Sequence, residues 1–164
     1  MAIEKPYLLF LGDVRDALAA KTAHGVVDWR REWCVGQFRL PGCQADTGLP
    51  DMDIAAARKA GAKTLVIGAV NAGGMLPESW IASIVAAIEA GMDVASGLHD
   101  RLVNVPAIRA AAEAKSAKLH EVRPTRTGNS PPARARSARA SGFSPSARIA
   151  PSARNMRRSR SRRR

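Results

Sequence analysis

The sequence predicts an α/β domain built on a small, open, mainly parallel sheet with helices on both faces, followed by a tail of a different kind. Three observations carry this. The runs Tyr7-Leu8-Leu9-Phe10-Leu11 and Thr64-Leu65-Val66-Ile67-Gly68 are short, apolar and stopped by glycine, as strands buried on both faces are. Segments of helical length, opened by Asp or Pro and closed by Gly, alternate with such runs. Finally, the composition breaks at Arg123: the 42 residues from there to Arg164 hold 13 Arg and no Lys, Asp, Glu, Leu or Val.

The elements follow in order. Tyr7 to Leu11 reads as the first strand, stopped by Gly12-Asp13, with Asp13 placed to cap a helix through Ala20 whose inner face holds Val14, Ala17 and Leu18. In Val26 to Leu40, Trp29, Trp33, Val35 and Phe38 nearly alternate, which points to a strand around Trp33 to Phe38. Pro41-Gly42 and Thr47-Gly48-Leu49-Pro50 mark loops. Asp51 or Asp53 caps a short helix through Ala60 that Gly61 ends. After the strand at Thr64, Asn71-Ala72-Gly73-Gly74 is a turn, Pro77-Glu78 opens a helix through Ala90, and Gly91 closes it. Asp93 to Gly97 is the next strand, Val105 to Ala114 the last helix and Lys118 to Val122 the last strand. The β-α alternation with short connections predicts a Rossmann-like arrangement with right-handed crossovers.

Charge divides at the same point. Residues 1–122 carry 13 basic and 14 acidic side chains, so the net charge of +12 comes wholly from the tail. A body of this length supports one core. No apolar run reaches the length of a membrane span, and the start is too soon interrupted for a signal peptide; a cytoplasmic protein is expected. Cys34 and Cys43 have no cluster of further ligands around them and read as two thiols, with no metal site.

In open parallel sheets, ligands sit against the loops that follow the strands' carboxyl ends. These loops hold Gly12, Asp13, Asn71, Gly73, Gly74, Gly97, His99, Asp100 and Arg101. The glycines allow close backbone approach, and the helix start at Glu78 offers free N–H groups. His99 could serve as acid, base or ligand group, with Asp100 and Arg101 orienting a substrate. Turn chemistry and capping account for the same glycines and for Asp13 equally well. No G-x-G-x-x-G follows the first strand, so the dinucleotide fingerprint is missing, and a stand-alone NAD-binding module would rest on fold analogy alone. The cofactor is left open. His24 and His120 read as surface or edge positions.

Several blocks together resemble one bacterial and archaeal family: Lys5 to Asp13, Ala20 to Ala23, Asp28-Trp29-Arg30, Glu32 to Gln37, Leu40 to Cys43, Leu65 to Gly68, Asn71 to Gly74 and Ala95 to His99. The group was long a domain of unknown function, and its members are now named after a D-glutamate N-acetyltransferase. The resemblance covers about residues 5–123. It implies a Rossmann-like N-terminal domain ahead of a larger P-loop NTPase-like domain, in a cytosolic enzyme acting on a small amino acid or N-acyl amino acid. Homo-oligomers are compatible with it. It assigns no catalytic residue within this half, and the phosphate loop belongs to the second domain.

Three accounts of residues 123–164 compete: a disordered arm whose arginines bind polyanions without regard to sequence, a solvated linker, and a frameshift product. Arg, Ala, Pro and Ser make up 33 of the 42 residues, and their codons are largely GC-rich. Permitted codons for Ser146 to Arg162, read from the third base of the first, translate as GTDCAVGKKYAALALA; those for Ser137 to Pro145 can give RPGKRVLTV. A basic lead-in, strand, glycine-rich loop and helix are what a phosphate-binding loop requires. The loop departs from the common pattern: it has a Lys where Ser or Thr usually follows Gly-Lys, so the hydroxyl that would ligate magnesium is missing. In a shifted codon only the first base is free for most residues, so a chance match over this length is very improbable. The expectation is an N-terminal domain, residues 1–122, cut from its partner by a frameshift near Gly128–Arg136 and inert alone. The alternatives are a nucleic-acid-associated protein working through its arginines and a nucleotide-binding module.

Overall fold

The computed structural model describes residues 3–71 and 73–123. Met1, Ala2, Ala72 and residues 124–164 lie outside them, and so do the expectations for the arginine-rich tail.

Five strands form one parallel sheet in the order β2-β1-β3-β4-β5. β1 (Tyr7–Gly12) is paired on both sides, with β2 (Cys34–Arg39) and β3 (Thr64–Ile67), and every one of its residues is buried. That central place explains its unbroken apolar run: neither face meets water. β4 (Asp93–Ser96) pairs with β3, and β5 (Leu119–Glu121) forms the far edge.

Four α-helices connect the strands: α1 (Lys21–Arg30), α2 (Ile54–Lys59), α3 (Glu78–Glu89) and α4 (Pro106–Lys115). The step from β1 to β2 runs opposite to the later steps. Right-handed crossovers therefore put α1 on one face of the sheet and α2, α3 and α4 on the other. Arg58 of α2 donates to the Ala90 carbonyl at the end of α3, 3.0 Å, in keeping with their shared face. Under that face Trp80 of α3 is fully buried and meets Phe10 edge-on at 5.3 Å between centroids.

The first helix differs from expectation. Asp13 caps nothing; Asp16 does, accepting from Leu18 N at 2.9 Å to open a single 3-10 turn, Ala17–Ala20, before α1 begins. Asp13 is instead held by Trp80, whose indole N–H donates to its Oδ1 at 2.8 Å. Leu18, expected on the inner face, faces water, and Trp29 lies in α1, ahead of the strand expected around Trp33 to Phe38, which runs from Cys34 to Arg39. Lys21, His24, Gly25 and Asp28 leave α1 without a clear apolar stripe, so its helical period is hard to see in the sequence. Of the two proposed caps, Asp53 opens α2, accepting from Ala56 N at 2.6 Å.

The loop after β2 turns back along that edge. Gln37 N donates to Pro50 O, and Met52 N donates to Gln37 O, each at 2.9 Å. The buried Gln37 side chain ties the loop down: its Nε2 donates to Asp46 and its Oε1 accepts from Thr47 N and Oγ1. Loop backbone thus satisfies groups that an edge strand would otherwise expose. His120, read from sequence as a surface or edge residue, is indeed on edge strand β5 but is buried.

Candidate functional site

The strand order reverses between β1 and β3, which is where open α/β sheets hold their ligands. A cleft of about 340 Å³ lies there, walled by Asp13, Arg15 and Asp16 after β1, by Val70 and Asn71 after β3, and by Trp80. Backbone bonds stitch its two sides together: Ala23 N to Gly68 O at 3.0 Å and Val70 N to Ala19 O at 2.8 Å. Gly68 is needed for the first, since a Cβ there would lie 2.5 Å from the Ala23 Cβ.

Gly12 turns the chain out of β1 at φ +59° and lies flat against the Trp80 indole, leaving no room for a side chain. Trp80 in turn fixes the Asp13 carboxylate at the mouth. Asn71 Oδ1 is buried and has no hydrogen-bond partner among the described residues. A buried amide oxygen without a donor is costly, and one in a ligand crevice is a ready acceptor for a bound N–H or O–H.

The other predicted residues form a neighbouring group. The loops after β3 and β4 lock together: His99 N donates to Gly74 O at 2.8 Å, and Asp100 accepts from Leu76 N at 2.8 Å. Gly74, at φ +67°, lies against the His99 ring so closely that a Cβ could not fit. Gly73 shares the turn at φ +100°. The Arg123 guanidinium nitrogen is 2.9 and 2.8 Å from the two ring nitrogens of His99. A nitrogen that close to both stands over the ring face, not in its plane. Arg101 turns to Glu121, 2.6 Å away. Gly97 lines an apolar groove beside α1. Asp13 and Asn71 therefore share one cleft, while Gly74, His99 and Asp100 brace the loops next to it.

Arg15, Asp16 and Trp80 were not singled out from the sequence. Arg15 and Asp16 follow Gly12-Asp13 directly, so their place in the loop was a usable signal. Trp80 meets Asp13 across 67 residues of chain, and only the fold reveals it. Beside β2 a second hollow of about 560 Å³ contains Arg39 and Asp51, but these neutralise each other. The Arg39 hydrogen bond holds the Asp51 carboxyl below its ordinary range. Among the described residues, no group of three or more His, Cys, Asp or Glu is placed to hold a metal ion, and no helix is long and apolar enough to cross a membrane.

Residues 38–125 match the model of a family described as a domain of unknown function, DUF1611_N, a Rossmann-like domain. The chain belongs to this family. Two relatives named D-glutamate N-acetyltransferase are similar over the same region. The one from Tritonibacter scottomollicae is 54% identical over 121 residues, 74% of this chain and 36% of its own length. The one from a Pseudoalteromonas species is 44% identical over 123 residues, 75% of this chain and 37% of its own. This chain thus spans little more than a third of the curated relatives it matches. The crystal structure of a DUF1611 family protein from Anabaena variabilis is similar in fold, with a TM-score of 0.59 at 22% identity, covering 74% of this chain and 37% of that one.

Proposed function

We propose that residues 1–122 are the N-terminal, substrate-side domain of a cytoplasmic enzyme resembling D-glutamate N-acetyltransferase, separated from its second domain by a frameshift and inactive alone. The observation that carries this is the 54% identity to a relative bearing that name over 121 residues, about a third of that relative, in a chain whose composition changes at Arg123. The shifted-frame phosphate loop supplies the part that would otherwise be missing.

In this reading the switch-point cleft takes the small amino-acid substrate. Arg15 offers a charge for a carboxylate, while Asp13, Asp16 and Asn71 Oδ1 offer acceptors for an amine, the complement of a zwitterion. Acetyl transfer needs that amine uncharged and held toward a donor, and a phosphate-bearing donor would be held by the second domain's loop. Half of such a crevice positions one reactant but not the pair, and so loses the gain from proximity.

The test is to restore the shifted frame and assay acetyl transfer to D-glutamate. The two-domain product should be active, and the 164-residue chain should not. Activity in the 164-residue chain, or none in a folded restored protein, contradicts the proposal. Arg15→Ala in the restored enzyme should mainly raise KM for the amino acid.

A further inference from the structure

We propose that the apolar groove beside α1 is the seat of a helix from the downstream two-thirds of the full-length polypeptide. The proposal rests on the reading of this chain as the front of a longer enzyme. The crossovers place three helices on one face of the sheet and α1 alone on the other. Next to α1, over β3, β4 and the end of β5, a hollow of about 490 Å³ is lined chiefly by Val26, Trp29, Trp33, Val66, Ala95 and Val122. Trp29 is 78% and Val122 62% exposed, a large apolar patch for a surface with no partner. Two strand spacings measure roughly 10 Å, the width of a helix with its side chains.

Two observations choose the occupant. The described chain leaves β5 at Val122, on the wall of the groove, and the Tritonibacter relative shares only 36% of its length with this chain. The residues that follow here hold only three large apolar side chains, Phe143, Ile149 and Met156, six and seven positions apart, too sparse for the apolar stripe such a helix needs. Among the described residues, the other large exposed apolar side chains, Leu18, Val70 and Met75, lie at the strands' carboxyl ends and not on this groove, so a second copy could fill it only with the same patch.

Hydroxyl-radical footprinting tests this on two proteins, the 164-residue chain and a chimera in which residues 1–122 replace the aligned part of the Tritonibacter relative. Trp29 should be oxidised readily in the first and several-fold more slowly in the chimera, at every protein concentration. Trp29→Glu should lower the chimera's Tm and leave that of the 164-residue chain unchanged. Equal oxidation in both overturns the proposal. Protection that grows with concentration, alongside a dimer mass, assigns the groove to a second copy and overturns it too. If the chimera does not fold, the native relative is footprinted instead, and freely oxidised side chains at the aligned groove positions are the contrary result. Because this readout never uses the gene's frame, it can fail while the frameshift stands, or succeed while it falls.

Discussion

Gly12 and Gly74 were visible in the sequence as glycines after strands, but the reason for each is a ring packed onto the backbone, Trp80 for one and His99 for the other. Both also have positive φ. Gly12→Ala and Gly74→Ala should each cost about 1–3 kcal/mol from backbone strain alone, and more from the collision, measured by urea unfolding. Gly25 is the contrast. It sits inside α1 with ordinary φ, and a Cβ added there would have open space for 4 Å around it, so Gly25→Ala should stabilise by about 0.5–1 kcal/mol. Cys34 could be read from sequence only as a thiol. Burial first, then the Glu32 charge, push it up to about 11, with Arg31 opposing. It should therefore react far more slowly with a disulfide reagent at pH 8 than the same thiol in urea; equal rates would contradict this placement.

At the scale of elements, β1 and β3 were legible because central parallel strands are apolar nearly throughout, and these are, except for Thr64, whose buried hydroxyl donates to the Glu4 carbonyl. The helix α1 was not, since its polar face is broad and Asp16, not Asp13, opens the turn before it. The strap over β2 was read as loop, and so it is, but its hold on the edge depends on pairings that spacing does not reveal. The Arg39 hydrogen bond depresses the Asp51 carboxyl, and the Gly48 amide, then the Gln37 side chain, depress that of Asp46. Groups depressed by folding stabilise above their unfolded pKa and lose that contribution as pH falls through the folded value. Stability should thus decline below about pH 4, the ordinary Asp range. Asp51→Asn should flatten that acid limb while leaving the limb above neutrality unchanged, as followed by Tm against pH. An unaltered acid limb would remove the pair from the account.

For the whole molecule, the fold and the family were both legible, because six of the eight blocks carrying the resemblance lie in or beside β1, β2, β3 and β4 or in the loops after them, the other two falling in or at α1. The pairing of Asp13 with Trp80 and the grouping of Asn71 with Arg15 required the folded chain. The net charge of +12 comes from the segment after the sheet. The 164-residue chain should bind DNA and RNA alike, with affinity falling steeply as salt rises and no sequence preference; a salt titration on unrelated duplexes checks this, and a marked preference for one sequence would favour a dedicated nucleic-acid role.

The central claim is that one enzyme's second domain stops being translated in frame just after β5. The nucleotide sequence around codons 124–140 and beyond tests it most directly. A shifted frame should run on without interruption through a glycine-rich phosphate loop into a domain of the size that the relatives carry. Stop codons in the shifted frames soon after that point, with no such domain, would contradict it.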